Sequence, residues 1–193
     1  RTIATALEWS YQLLSESERY IFRCLGIFAG SFTLEAAVSI IPATSDADTA
    51  SILADLVCKS LVSVDIGSSI ARFRLLEITK AFALAKLIDQ SERGTLATRL
   101  ASCVTEMLRK CALGPHQVQT ARDAVHELDN VRGILSWAFS PNGDRRLGVA
   151  LAAAAVPVWL ENSLLTECVA WTTNAIDTLE PGVDAERDEM LLK

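Results

Sequence analysis

The chain has 193 residues, of which 50% are hydrophobic and 22% are charged. This is enough apolar material to fill one or two cores, so the composition excludes a chain that is disordered throughout. The formal net charge of -6 opposes nonspecific attraction to nucleic acid or to an anionic membrane surface, although a local basic patch remains compatible with it.

The first forty residues predict three helices. Apolar residues at three- and four-residue spacings predict an amphipathic first helix within residues 2–14. Ser15 and Glu18 have the serine-x-x-glutamate spacing of a capping box, which would begin a second helix running to Phe28. Gly30 lies where a left-handed helix cap is expected, and Thr33 would begin the third helix.

The next segment predicts one more helix and then a β-hairpin. Residues 50–59 have a helical apolar pattern, whereas residues 61–75 alternate between apolar and polar on both sides of a Gly-Ser-Ser turn. A long amphipathic helix over residues 77–90 follows. Helices followed by a hairpin in this order are typical of a winged helix, so we predict a winged-helix-like domain over residues 1–92.

The remainder of the chain predicts an α-helical repeat array over residues 93–193. Four helical patterns with short connections occupy residues 95–112, 117–139, 145–161 and 164–179. The third contains the longest apolar run, which includes Pro157 and is too short to cross a bilayer, so no membrane partner is expected. Trp137 and Trp171 lie 34 residues apart, the period of tetratricopeptide (TPR) repeats. The predicted fold class is therefore mainly α, with a winged-helix-like domain followed by a TPR-like array.

The five cysteines indicate reduced thiols in a cytoplasmic protein. They are odd in number, widely spread and set in apolar helical patterns, and no two have the Cys-x-x-Cys spacing of a redox or zinc motif. Their positions are Cys24, Cys58, Cys103, Cys111 and Cys168.

The sequence offers no catalytic constellation. His116 and His126 are the only histidines, and neither has a second histidine at helical spacing. Metal ligation or general-base catalysis would require converging partners, so a solvated helix face is the simpler interpretation. We predict that this segment is not an enzyme and binds no cofactor or metal; a hydrolytic or metal-dependent enzyme is kept as a separate hypothesis.

The charge pattern weighs against DNA binding without excluding it. The predicted groove-entering helix carries Asp46, Asp48 and Asp55 against the single Lys59, whereas DNA readers normally use Arg, Lys, Asn or Gln at this place. Arg72 and Arg74 lie on one face of the second hairpin strand and, with Lys59, form a candidate cationic contact for a partner or nucleic acid. The alternative is a solvated strand edge whose cations form salt bridges with neighbouring acids.

Five segments, in two groups along the chain, resemble a known family. "TALEWSYQLLSESERYIFRCLGIFAGSFTLEAA" with "LADLVCKSLV" and "RFRLLEITKAFALAKL" is similar to the segment after the nucleotide-binding core of large bacterial transcription regulators of the STAND class, which resemble NB-ARC ATPases. The later "ELDNVRGILSWAF" and "RRLGVALAAAAVPVWLENSLLTECVAWTTNAID" resemble the start of the TPR-like sensor region of these proteins. The resemblance covers about the whole chain.

This resemblance implies a winged helix that packs on an ATPase core, followed by an arm that senses an effector or partner protein. ATP or ADP would bind to the parent protein's core, because the Walker motifs lie outside this chain. The expected function is thus a non-catalytic regulatory segment, truncated at its C-terminus; the alternative is a winged-helix DNA-binding transcription factor domain. Neither His116 nor His126 falls in the winged-helix half, so the nucleotide-contacting histidine of the apoptotic relatives has no counterpart here.

Overall fold

The computed structural model describes residues 3–41, 46–67, 70–113 and 124–179. These residues are mainly helical with one small antiparallel sheet, which confirms the predicted mainly α class. In chain order the elements are α1 (Ile3–Gln12), α2 (Glu16–Leu25), α3 (Leu34–Ile40), α4 (Asp46–Cys58), β1 (Ser63–Asp65), β2 (Arg72–Arg74), α5 (Glu77–Asp89), α6 (Arg93–Leu113), a 3-10 helix (Ala124–Glu127), α7 (Leu128–Ala138), α8 (Arg145–Glu161) and α9 (Leu165–Asp177).

Two of the predicted helix starts are confirmed by their hydrogen bonds. The Ser15 hydroxyl accepts from the Glu18 amide at 3.3 Å, and the Glu18 carboxylate accepts from the Ser15 amide at 2.8 Å, which completes the capping box of α2. Thr33 caps α3 by accepting from the Ala36 amide at 3.2 Å. Each cap satisfies a backbone donor that the first helical turn leaves without a partner.

The prediction that Gly30 provides a left-handed cap is wrong. Helix α2 ends at Leu25 rather than Phe28, its cap residue Gly26 is right-handed, and no glycine in the described ranges has a positive φ. A Cβ on Gly26 would lie 2.6 Å from the backbone nitrogen of Leu84 on α5. Glycine is therefore needed at position 26 for close helix packing, whereas the sequence pattern suggested conformational freedom at position 30.

The hairpin forms as predicted and is tied to the turn before α3. Strands β1 and β2 pair antiparallel with Val64 opposite Phe73. Phe32 and Phe73 exchange two backbone hydrogen bonds of 2.8 Å in an isolated antiparallel bridge. The Phe32 ring stacks between Phe28 and Phe73, with ring centroids 4.3 and 6.0 Å away. This aromatic stack fixes the hairpin against the helices.

The C-terminal part matches the predicted helices except at one place. Helix α8 spans the predicted 145–161, and Asp144 caps it by accepting from two backbone amides at 2.9 and 3.2 Å. The single helix predicted over residues 117–139 is confirmed over residues 128–138, but residues 124–127 form a 3-10 helix instead. Residues 114–123, which include His116, lie outside the described residues.

One continuous cluster of buried side chains runs through both parts of the chain. It extends from Leu14 before α2 to Ala175 on α9, and its largest member, Trp159, is fully buried. Within the described ranges no helix is long and apolar enough to span a membrane. The division at residue 92, the winged-helix topology and the TPR assignment stay predictions; we refer below to α1–α5 with the hairpin as the N-terminal part and to α6–α9 as the C-terminal part.

Three helices end on a serine in the left-handed conformation, where glycine is usual. Ser60, Ser91 and Ser163, which follow α4, α5 and α8, each have φ of 58°. At the third site the Ser163 amide donates to the Leu160 carbonyl and the Leu164 amide donates to the Trp159 carbonyl. This is the hydrogen-bond pattern of a Schellman motif.

Replacing Ser163 by glycine is expected to stabilise the protein. The left-handed conformation costs an L-residue about 1–2 kcal/mol, and the extra freedom of glycine in the unfolded chain offsets about 0.5–1 kcal/mol of that gain. We expect urea unfolding of Ser163→Gly to give a free energy higher by about 0.5–1 kcal/mol. Ser102→Gly is the matched control, because Ser102 is exposed inside α6; this change should lower the free energy of unfolding. Equal losses for both variants would contradict the prediction.

Candidate functional site: the seam between the two parts

Arg72, one of the three cations that the sequence analysis selected, connects the hairpin to the C-terminal part. Its guanidinium forms an ion pair with Glu127 of the 3-10 helix, and the two side chains are only 16% and 11% exposed. Arg72 also donates to the Ser31 hydroxyl at 2.8 Å and to the Ser31 carbonyl at 3.2 Å. A guanidinium held by three acceptors in this way is not presented to solvent as a free cation.

Asn130, on the first turn of α7, completes this connection. It is 1% exposed, and its side-chain oxygen accepts from the Gly30 amide at 2.9 Å. Its side-chain nitrogen donates to the Ser31 carbonyl and to Glu127, both at 2.9 Å. The polar seam is the set of residues Gly30, Ser31, Arg72, Glu127 and Asn130. Every one of these contacts satisfies a polar group that would be costly to bury alone.

Small residues allow the backbones to approach at the seam. A Cβ on Gly30 would lie 2.8 Å from the Cβ of Asp129, and a Cβ on Gly133 would lie 2.8 Å from the Cβ of Ala29. Real Cβ atoms do not approach so closely, so glycine at these two positions is a requirement of the contact between α7 and the turn after α2. The role of Gly30 is thus close packing against α7.

Lys59, the second selected cation, is paired within the N-terminal part. Its ammonium contacts the carboxylate of Glu18, the capping-box residue of α2. The hydrogen bond from Lys59 is the main cause that lowers the pKa of Glu18 below its ordinary value, and the bond to the Ser15 amide acts in the same direction. The Lys59 side chain is 45% exposed, so it remains partly accessible.

This lowered pKa predicts a pH-dependent contribution to stability. Because the folded-state pKa lies below the unfolded value, the contribution is present above about pH 4 and is lost as the pH falls through the folded value. Glu18→Gln keeps a capping side chain but removes the charge, so we expect it to lower the free energy of unfolding by about 0.5–1 kcal/mol at pH 7.

The difference in free energy of unfolding between the unmodified chain and Glu18→Gln should become smaller as the pH falls. Urea unfolding between pH 3 and pH 7 measures it. Glu16→Gln is the matched control, because Glu16 is on the same helix and its side chain is 83% exposed. A Glu18→Gln effect that is constant with pH would contradict the assigned ion pair.

Arg74, the third selected cation, is exposed at the end of β2. The structure therefore does not bring the three cations together as one patch: Lys59 faces α2, Arg72 faces the seam and Arg74 faces solvent. Helix α4, the element expected to enter a DNA groove, exposes Asp48 and Asp55. This geometry limits the cationic surface that the hairpin and α4 offer to a phosphate backbone.

Two further ion pairs connect elements outside the seam: α2 with the residue before α6, and α7 with α9. Arg23 of α2 bonds to Glu92 at 2.9 Å, just before α6 begins, and this bond is the main cause that raises the pKa of Arg23. Arg132 of α7 holds Glu167 of α9 through two bonds of 2.8 and 2.7 Å. Two parallel bonds between an arginine and a carboxylate fix orientation better than a single contact does.

No group of three His, Cys, Asp or Glu side chains in the described ranges converges on a point that could hold a metal ion. His126 is exposed, and its backbone carbonyl lies 3.5 Å from the Arg72 guanidinium. All five cysteines lie in described ranges and none is disulfide-bonded; burial raises the pKa of the Cys24 thiol to about 12.

Sequence reasoning found Arg72 but not the other side of the seam. Glu127, which pairs with Arg72, and Asn130, which bonds to Ser31 and Glu127, lie 55 and 58 positions after Arg72 in a segment that looked like an ordinary solvated helix face. One signal was available: an Asn within the apolar periodicity of residues 128–138 falls on the buried side of the helix, where a polar side chain requires partners.

Comparisons with known proteins agree with a regulatory origin. The chain is 35% identical over 182 residues to proteins of Mycobacterium bovis and Mycobacterium tuberculosis whose names propose an HTH-type transcriptional regulator. The match covers 92% of this chain but 20% of each relative, so the chain spans about a fifth of the length of these curated relatives. An uncharacterized protein of Mycobacterium tuberculosis is 32% identical over 124 residues, 63% of this chain and 30% of that protein. No family model and no solved structure matches.

Proposed function

We propose that this chain is a non-catalytic regulatory segment of a larger ATPase-type transcriptional regulator. The N-terminal part would act as a winged helix that docks on the ATPase core, and the C-terminal part would act as a TPR-like array that senses an effector or partner protein. The names of the mycobacterial relatives support the transcriptional role, since the similarity runs through both parts. ATP or ADP would bind to the parent protein's core, and the protein would work in the cytoplasm.

The polar seam is the observation that carries this proposal. It joins the hairpin to the helical array through buried, mutually satisfied groups, so a force applied to one part reaches the other. Arg72, one of the two hairpin arginines considered for a phosphate contact, is used for this internal connection. Because Arg72 pairs with a residue of the C-terminal part, the hairpin is better suited to coupling the two parts than to binding DNA.

The hairpin also has an apolar surface suited to protein docking. Ile66, Ile70, Leu76 and Ile78, which flank the two strands, are between 53% and 80% exposed. Four exposed apolar residues of this size within residues 66–78 favour a protein interaction site. In the proposed mechanism this hairpin surface contacts the ATPase core, and effector binding to the array shifts the equilibrium between docked and released states.

The test is ATP hydrolysis and nucleotide release by the parent's ATPase core, measured with and without this segment. We expect the segment to change at least one rate, and Ile66→Glu with Ile70→Glu to abolish the change. Leu13→Glu is the matched control, because Leu13 is 86% exposed and lies away from the hairpin strands in sequence. Identical rates with and without the segment would overturn the proposal.

DNA binding is the second candidate function, favoured by the names of the relatives and by the exposure of Arg74. It would use Lys59, Arg72 and Arg74 as phosphate contacts and would weaken steeply with salt. Fluorescence anisotropy of a labelled duplex tests it. Lys59→Ala with Arg74→Ala is the informative variant, since replacing Arg72 would also break the seam. Salt-sensitive binding that this variant loses would favour DNA binding over docking.

A further inference from the structure

A partly enclosed cavity lies between the two parts, next to the seam. It has a volume of about 150 Å³ and is lined by the end of α2 and the following turn, by α5, by α6 and by α7. Most of its wall is apolar, with Phe28, Ile134 and Trp137 among the larger contributors. Because both parts of the chain supply the wall, anything bound here would contact both.

Two cations line this cavity, and one of them has an unsatisfied donor. Arg93, the first residue of α6, lines the wall, and its Nε is buried without a hydrogen-bond partner. A buried charged donor without a partner is costly and uncommon. The other cation, Lys80, donates to the Ala29 carbonyl at 2.8 Å and to Glu77 at 3.0 Å.

The charge balance at this cavity favours an anion. None of the described residues that line the wall carries a carboxylate, and Glu77, which pairs with Lys80, has a side chain that is 75% exposed. The guanidinium of Arg93 is therefore left without a negative partner at the wall. A carboxylate at the guanidinium of Arg93 would form a charge-assisted hydrogen bond in a site partly shielded from water.

The size of the cavity limits the apolar body that could accompany this carboxylate. Cavities of ~150 Å³ lined by apolar side chains admit a benzene-sized molecule. Larger ligands such as nucleotides exceed this volume. The wall therefore suits a small ring or a branched aliphatic group attached to a single acidic group.

We propose that the cavity binds a small organic monocarboxylate of about the size of benzoate, with the carboxylate on Arg93 and the apolar body between Ile134 and Trp137. Such a ligand would hold the two parts of the chain together, because both parts supply the wall of the cavity. The proposal goes beyond the regulatory function stated above. Because carboxylate binding to this chain does not require an ATPase core, the binding proposal and the regulatory function can be disproved independently.

The test is a titration of the whole chain with benzoate, followed by the arginine Nε–H signals in nitrogen-15 NMR spectra. Benzamide, which has the same shape but no charge, is the ligand control. We expect benzoate to shift the Arg93 signal saturably and benzamide to bind about tenfold more weakly or worse. No saturable shift at millimolar benzoate would overturn the proposal.

Three variants make the assignment specific. Arg93→Gln removes the charge, and Ala97→Leu fills the cavity from the next turn of α6; each should weaken benzoate binding about tenfold or more, measured by titration calorimetry. Arg99→Gln removes a charge from the exposed side of α6 and should leave binding unchanged. Thermal melting of each variant verifies folding. Unchanged affinity in folded Arg93→Gln or Ala97→Leu would place any benzoate binding elsewhere and overturn the proposal.

Discussion

Glu127→Ala is expected to lower the free energy of unfolding by about 3 kcal/mol, because removing one member of a largely buried ion pair leaves the other charge without compensation. Arg72 would lose its carboxylate partner, and the Asn130 side-chain nitrogen would lose one of its two acceptors. Urea unfolding measures the change. Glu127→Gln should cost less, since the amide oxygen can still accept one of these hydrogen bonds.

Two comparisons separate this prediction from a general effect of losing a carboxylate. Glu106→Ala removes a 59% exposed carboxylate from α6 and should change stability by less than about 0.5 kcal/mol. Arg72→Ala combined with Glu127→Ala should cost less than the sum of the single changes, because the contact is lost only once. Equal effects of Glu127→Ala and Glu106→Ala, or strict additivity with Arg72→Ala, would contradict the buried pair.

Gly133→Ala is expected to lower the free energy of unfolding by about 1–3 kcal/mol, although alanine is the better helix former. The added methyl would lie 2.8 Å from the Ala29 Cβ, so α7 and the turn after α2 would have to move apart. Adding Ala29→Gly removes the opposing methyl. The double variant should therefore recover most of the lost stability, as measured by urea unfolding.

Gly94→Ala is the matched control for this pair. It lies on the first turn of α6, and a Cβ there meets no atom within 4 Å. Alanine at this position should stabilise the protein by up to about 1 kcal/mol. A Gly133→Ala variant that behaves like Gly94→Ala, or an Ala29→Gly change that restores nothing, would show that the two parts do not approach as described.

Local features of the fold were predictable from the sequence. The Ser15–Glu18 capping box and the limits of α8 depend on residues within one or two helical turns, so the pattern of neighbouring residues contains the necessary information. The order of helices and hairpin was also predictable, because the change from helical to alternating periodicity occurs within residues 61–75.

The seam was not predictable in the same way. Gly30 looked like a helix cap because glycine after an apolar helix is usual there, but its neighbour is Asp129, 99 residues later. The partner of Arg72 is similarly remote. Contacts of this kind depend on how the two parts pack, and a single sequence does not contain that distance information.

The seam bears on the predicted winged-helix-like domain over residues 1–92. A winged helix that reads DNA needs free cations on its recognition helix and hairpin, whereas here Arg72 is turned toward the C-terminal part and α4 exposes carboxylates. This arrangement supports the proposed role of the N-terminal part in protein docking.

Native-state hydrogen exchange tests the central claim, that the seam makes the two parts one body, most directly. We predict that the slowest amides of α2 and of α8 exchange with the same opening free energy and the same dependence on urea. In Glu127→Ala the opening free energies of α2 and α8 should differ. Different opening free energies for α2 and α8 in the unmodified chain would contradict the account, because each part would then open independently of the seam.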